Sequence, residues 1–245
     1  MAANCGARQV FTCETSKTIA DNAKKIIEHN GHSDIITVIN KKSTDLIVGQ
    51  DMPEKADLIL SEVLSAELVG EGVRATALDA TKRLLKTGGK IIPQSGKIKV
   101  ALIGNSLEVS DATMVDQIHG FDLSKFNSIS QNKFSLKLKH EPFFLSDPKD
   151  AFDISLNDAV EVSKEEKTIK IRATKDGLCI GLIQWLWVNL YEGIEYENRP
   201  GKTNSHWPTP IYLFDKPLKL TEGEAIDIKA LLGEDSVWFY KKSTL

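Results

Sequence analysis

Residues 61–72, SEVLSAELVGEG, hold three glutamates, Glu62, Glu67 and Glu71, directly after the apolar run ADLIL at 56–60. That run reads as a strand apolar enough to be buried on both faces. In α/β folds, ligands gather at the C-terminal ends of such strands. A loop that returns on itself there could bring Glu62 and Glu71 into one pocket. Two carboxylates in one pocket repel each other and need a cation between them. A guanidinium fits that need, being planar, permanently charged and able to form forked bonds with carboxylates. The same acids, at the start of the helix that follows, would also favour the positive end of its dipole. The segment by itself leaves both readings open.

Other residues invite a similar weighing. Glu14 ends the short run QVFTCE at 9–14 and precedes a helical stretch. In nucleotide-binding α/β folds an acid at that position accepts hydrogen bonds from both ribose hydroxyls. A solvated glutamate before a helix is the alternative. His206 and Trp207, in NSHWPTP, fall at a turn before a strand, where a structural role competes with a functional one. Trp185 and Trp187 flank Leu186 in a strand-like run and share one face, which suits packing.

The elements needed to position these residues alternate between strand and helix. QVFTCE (9–14) and DIITVIN (34–40) read as strands, the second rich in β-branched residues. Between them SKTIADNAKKIIEH (16–29) reads as a helix with Ile19, Ala23, Ile26 and Ile27 on one face, capped by Ser16 or Thr15 and followed by Gly31. A second helix is expected from Glu71 to Lys86, with Val73, Ala77, Ala80 and Leu84 along one side and Gly88-Gly89 at its end. KIIP (90–93) gives a last short strand. This is the grammar of a doubly wound α/β sheet. No glycine-rich turn of the GxGxG type precedes QVFTCE in this sequence.

Beyond Pro93 the pattern becomes many short strands with polar turns, at 97–103, 134–139, 152–156, 168–172, 179–190, 210–214, 225–229 and 236–240. That pattern predicts a sandwich or barrel. Residues 111–131 break it. They read as helix-like and carry Met114, Ile118, Phe121 and Phe126, which suits either an arm that packs on a second copy or an ordinary helical insertion. The expected organisation is therefore a Rossmann-like region over 1–93 and a β-barrel region over 94–245, with the arm at about 111–131.

Composition narrows the classes. With 245 residues, 41% of them apolar and 27% charged, the chain has the profile of a globular protein. Its net charge of −3 argues against a general nucleic-acid binder and suits a cationic substrate. Cys5, Cys13 and Cys179 show neither disulfide nor metal-ligand spacing. No apolar run is long enough to cross a bilayer as a helix, and MAANCGARQV lacks the apolar core of a signal peptide. A cytoplasmic or nuclear protein without metal or membrane association is the resulting expectation.

Taken together, the motifs resemble those of the protein arginine N-methyltransferases. SEVLSAELVGEG resembles the double-glutamate loop of that family, QVFTCETS the segment with the ribose-binding acid, and VINKKSTDL (38–46) the adenine-side segment. GGKIIP resembles the joint between the two halves, and NSHWPTPIYLF the THW loop, with Ser205 where threonine is usual. HGFDLSKF lies where the family carries its dimerisation arm. The resemblance implies Glu62 and Glu71 as catalytic acids and His206 and Trp207 as substrate-pocket residues. It implies S-adenosyl-L-methionine as cofactor, bound through Glu14, Ser43, Thr44 and Glu62, with arginine-containing proteins as substrates and a homodimer as the assembly. The wording around the double-glutamate loop is most similar to the divergent branch that includes monomethylating, type III enzymes. That branch often has an acid where this chain has Leu64 and Ser65. The family's glycine-rich motif and first strand have no counterpart here, so an N-terminally truncated chain is expected, with exposed sheet edges and reduced stability or compensating dimer contacts. A truncated, inactive protein that still dimerises or binds partners is the alternative. A methyltransferase for another group is a third reading, disfavoured by paired acids that suit a cation.

Overall fold

The computed structural model describes residues 1–158, 163–202 and 204–242. The first part contains β1 (Val10–Cys13), α1 (Lys17–His29), β2 (Ile36–Ile39), β3 (Ala56–Leu60), α2 (Val73–Arg83) and β4 (Leu85–Ile92). β1 and β2 pair in parallel, with Val10 opposite Ile36 and Cys13 opposite Ile39. β3 and β4 form a second parallel pair, with Leu60 opposite Ile92. Each pair is joined by its own helix, as parallel neighbours require. Among the described residues no strand ladder links the two pairs. They meet instead through side chains: Leu46, Met52, Ala80 and Leu84 pack with Phe11, Cys13 and Ile39 from one pair and with Ala56 and Ile59 from the other.

The later part is antiparallel. It comprises β5 (Ser95–Gly104), α3 (Leu107–Thr113), the two-residue strands β6 (Gln117–Ile118) and β7 (Phe121–Asp122), β8 (Lys133–Leu136), β9 (Lys149–Ser155), β10 (Glu165–Arg172), β11 (Gly177–Tyr191), β12 (Ile194–Glu197), β13 (Thr209–Leu220), β14 (Ala225–Leu232) and β15 (Val237–Lys241). One sheet runs β8-β13-β11-β5-β9, with β12 added to β11, and a second runs β10-β14-β15. Apolar side chains from both sheets, including Ile98, Leu102, Leu186 and Phe152 from the first and Ile171, Ile228 and Phe239 from the second, fill one core. Leu64, Leu68, Val69, Val73 and Ala77 belong to that same core, so the glutamate segment and α2 are built into it. On the far side of the larger sheet, Trp185 and Ile103 are covered by Val109 of α3 and by Phe144.

The mixed α/β architecture agrees with the expectation, and several details do not. Among the described residues the later strands form two open sheets and the β6–β7 hairpin, with separate hydrogen-bond ladders instead of a closed barrel. α1 has the expected extent, but Ile19 and Ile26 are exposed and only Ala20 is fully buried, because periodicity fixes a face without fixing what covers it. Ser16 occupies the cap position of α1 without a side-chain cap bond. β3 is covered on one face only, leaving Leu58 and Leu60 exposed. α2 begins at Val73 and ends at Arg83, and Gly88-Gly89 lies within β4 instead of ending the helix. At Gly89 an added Cβ would stand 3.0 Å from the Asp57 carbonyl oxygen, so this glycine permits close approach of β3. Residues 111–131 are not one helix: they hold the end of α3, the β6–β7 hairpin and a 3-10 turn at Ser124–Ile129. Met114, Ile118, Phe121 and Phe126 are nonetheless exposed, as expected.

Cys179 is fully buried in β11, and burial pushes its thiol up to about 11. At pH 8 its thiolate fraction is therefore about one in a thousand, and the side chain is shut away from solvent, whereas Cys5 is exposed. Alkylation of the native protein at pH 8, read by peptide mass spectrometry, should label Cys5 at least tenfold faster than Cys179. Equal rates would contradict the packing of β11.

Candidate functional site

Glu14, Ser43, Thr44, Glu62, Glu71, His206 and Trp207 all lie in loops or turns between the strands and helices. Glu14 follows β1, and its backbone N–H donates to the Ile39 carbonyl at 3.0 Å, extending the β1–β2 ladder. Its Oε1 accepts the Ser16 N–H at 2.6 Å and the Thr15 hydroxyl at 3.4 Å. One carboxylate oxygen thus satisfies the N–H of the cap residue itself. Asn40, at the end of β2, donates from Nδ2 to the carbonyls of Glu14 (2.8 Å) and Thr15 (3.0 Å), fixing the two strand ends together.

Ser43 and Thr44 lie in the 3-10 turn Ser43–Asp45 that follows β2. A residue distant in sequence holds that turn. Arg83, in the last turn of α2, donates to the Leu46 carbonyl at 2.7 Å and to the Ser43 carbonyl at 3.1 Å. Its remaining donors form a forked pair with Asp79, at 2.6 Å on both sides. The Asp79 hydrogen bond raises the Arg83 pKa further. Nothing at 43–46 in the sequence points to Arg83, and only the fold brings α2 against this turn.

The glutamate segment is a compact reversal. Ser65 and Leu68 form an antiparallel bridge, and Ser65 Oγ accepts the N–H groups of Glu67 (3.1 Å) and Gly70 (2.9 Å). The Leu68 N–H donates to the Ser65 carbonyl at 2.9 Å, and the Gly72 N–H to the Val69 carbonyl at 3.1 Å. Glu62 lies on the way into this reversal and Glu71 on the way out. Both are exposed, and among the described residues neither carboxylate has a hydrogen bond or ion pair within the protein. Glu67 is the opposite case. Its Oε1 pairs with Lys133 Nζ at 2.6 Å, and its Oε2 accepts the Val237 N–H at 2.8 Å. Of three acids of one type, the fold engages one and leaves two open.

Leu68 anchors the reversal. It is fully buried with φ +67°, a left-handed conformation that costs a non-glycine residue about 1–3 kcal/mol and needs surrounding packing to persist. That packing includes Gly96 of β5, where an added Cβ would fall 2.8 Å from both Leu68 methyl carbons.

His206 and Trp207 precede β13 and stack with ring centroids 4.9 Å apart. Trp207 meets Tyr196 edge-on at 6.0 Å and packs on the main core, as does Val63, the neighbour of Glu62. His206 is exposed. Trp185 and Trp187 are structural, as expected. Trp185 is buried and donates from Nε1 to Glu197 at 2.6 Å, while Trp187 donates to Glu195 at 3.0 Å.

No family model matches the chain. Individual relatives do. An arginine N(omega)-methyltransferase from Streptomyces achromogenes subsp. streptozoticus is 33% identical over 232 residues, covering 93% of this chain and 63% of the relative. Protein arginine N-methyltransferase 7 of Drosophila ananassae is 27% identical over 98% of this chain and 40% of its own length. The chain therefore spans less than two thirds of the curated relatives it matches. Among solved structures, a chain of the Trypanosoma brucei PRMT1 enzyme-prozyme heterotetrameric complex with AdoHcy superposes with a TM-score of 0.79 at 21% identity, covering 96% of this chain and 76% of that one. Arabidopsis thaliana protein arginine methyltransferase 10, in a conformation described as uniquely open, gives 0.76 at 20% identity, covering 94% and 74%. The fold is one shared with methyltransferases. By sequence, the chain is similar to proteins named as arginine methyltransferases, the family its motifs resemble.

Gly96→Ala should crowd Leu68 and lower the unfolding free energy by about 1–3 kcal/mol, the usual cost of an overpacked core. Denaturant titration checks this. An unchanged midpoint would show that Leu68 is not held as described.

Proposed function

We propose that the protein is an S-adenosylmethionine-dependent protein arginine N-methyltransferase, with Glu62 and Glu71 holding the substrate guanidinium. The observation that carries this reading is the contrast within one reversal: Glu67 is neutralised by the protein, while Glu62 and Glu71 are left to a ligand. A guanidinium supplies both the charge and the forked donors that two open carboxylates need. The sequence relatives named as arginine methyltransferases support the assignment.

The donor set fits the cofactor in part. Glu14 has one carboxylate oxygen committed to the Ser16 N–H and the other, among the described residues, without such a partner, which suits a ribose diol. Ser43 and Thr44 offer hydroxyls to an adenine edge on a turn braced by Arg83, and Glu62 completes the contacts proposed here. When bound, the cofactor supplies an electrophilic methyl group on a sulfonium sulfur. The chain's own task is to hold the guanidinium with one terminal nitrogen free to attack, to keep it oriented, and to leave a carboxylate or water to take the released proton. Alignment and preorganised charge carry most of such a rate enhancement. His206 and Trp207 form a wall of the arginine pocket.

The finer parts of the proposal extend outward from this site. Residues 1–93 form the cofactor-side region and 94–245 the substrate region, built on the two antiparallel sheets. Exposed Phe121 and Phe126, in the arm at about 111–131, dock on a second copy to give a homodimer. Arginine-bearing proteins of the cytoplasm or nucleus are the substrates.

Glu62→Gln and Glu71→Gln should each lower methyl transfer to an arginine-rich peptide at least 100-fold while leaving the melting temperature within a few degrees. Mass spectrometry of the peptide reads the result, and full activity in either variant would remove the assignment. Equilibrium titration should show micromolar S-adenosylmethionine binding. No binding at millimolar cofactor would favour an inactive binding protein instead.

A further inference from the structure

The glutamate reversal is fastened to the antiparallel sheets by a polar network that none of the site assignments uses. Lys133, at the start of β8, is largely buried and reaches four partners, one of them the Tyr212 ring with its centroid 5.3 Å away. Its Nζ pairs with Glu67 at 2.6 Å, donates to the Val237 carbonyl at 3.0 Å, and lies 4.6 Å from the centroid of the Trp238 ring. Glu67 closes a small circuit by accepting the N–H of the same Val237 whose carbonyl Lys133 engages. The Tyr212 hydroxyl donates within the network, lying 3.1 Å from the Val237 carbonyl and 2.8 Å from Gln184 Oε1. Gln184, fully buried, donates from Nε2 to the Ala66 carbonyl at 3.4 Å. Residues 66 and 67 are thereby tied to β8, β11, β13 and β15 at once. Charge-assisted bonds of this kind are the stronger hydrogen bonds in proteins, and a largely buried pair is poorly screened by salt.

We propose that Lys133 and Glu67 are positioning residues that hold the reversal rigid, so that Glu62 and Glu71 keep a fixed aim. The inference rests on the proposed arginine-methylating function for its catalytic consequence, but not for its structural one. Glu62 and Glu71 cannot stabilise the loop themselves, since their carboxylates are reserved for a ligand. The apex between them therefore carries the anchoring. Misplacement of reacting groups by about 1 Å is enough to lower a rate roughly 100-fold.

Hydrogen exchange read by mass spectrometry, together with steady-state kinetics on an arginine-rich peptide, tests this in the full chain. In Lys133→Met, amides of 62–71 should exchange at least tenfold faster, while β5 and β11 keep their protection. The kcat should fall 10- to 100-fold with the KM for peptide changing less than threefold, and Lys133→Arg should restore most of both. Glu67→Gln, which keeps side-chain shape and the Val237 acceptor, should show the same local pattern more weakly and serves if Lys133→Met does not fold. Unchanged exchange at 62–71, or faster exchange spread equally through β5 and β11, overturns the proposal. So does an unchanged kcat beside a loosened loop. Should the unaltered protein transfer no methyl group, the proposed function fails, and exchange at 62–71 alone then upholds or overturns the tether.

Discussion

A loop that presents two unneutralised carboxylates to a ligand cannot be held together by those carboxylates. Every other feature of the site follows from that constraint. The order in 61–72 has to come from groups that are not Glu62 or Glu71, and the fold supplies three kinds. Ser65 Oγ gathers the N–H groups of Glu67 and Gly70 within the reversal. Leu68 plugs the apex into the core against Gly96. Glu67 ties the apex to Lys133 and Val237. Any one of these would leave a hinge, and together they fix the backbone on both sides of the open acids. This is the preorganisation that electrostatic recognition of a cation requires, because a mobile acid pair would reorient around each partner and lose the gain.

The same logic extends to the region of Glu14, Ser43 and Thr44, the proposed cofactor side. Glu14 splits its carboxylate between a structural duty, accepting the Ser16 N–H, and an open oxygen. The turn bearing Ser43 and Thr44 has no regular ladder of its own and depends on Arg83 from α2. α2 follows directly from the glutamate reversal and enters the main core through Val73 and Ala77. One helix therefore joins the glutamate reversal to the turn bearing Ser43 and Thr44. The two parallel strand pairs meet through side chains alone, which makes this helix and the 46–52 segment their principal connection among the described residues.

Much of this was legible in the sequence, for identifiable reasons. β-branched and alternating runs located β2 and β5, and the spacing of Val73, Ala77, Ala80 and Leu84 gave the buried face of α2. Glu62 and Glu71 stood out by type and by place after a strand. What stayed hidden depends on contacts made across the chain. Glu67 looks like its two neighbours until Lys133, 66 positions later, reaches it. Arg83 reads as an ordinary last-turn base until the 43–46 turn is folded against it. Apolarity alone suggested burial of Leu58, Leu60, Ile19 and Ile26, yet an apolar face stays open when no element lies over it. Gly88-Gly89 resembled a helix stop but serves the close β3–β4 approach, a role that depends on the partner strand's backbone.

The proposed function requires the two open carboxylates to recognise the charge and fork of a guanidinium. Calorimetric titration of the protein with an arginine-containing peptide and with the same peptide carrying citrulline, in saturating S-adenosylhomocysteine, measures this directly. Citrulline keeps the shape but loses the charge and part of the donor fork. At least tenfold tighter binding of the arginine peptide is predicted, with the difference lost in a Glu62→Gln/Glu71→Gln variant. Equal affinity for the two peptides in the unaltered protein would contradict the account.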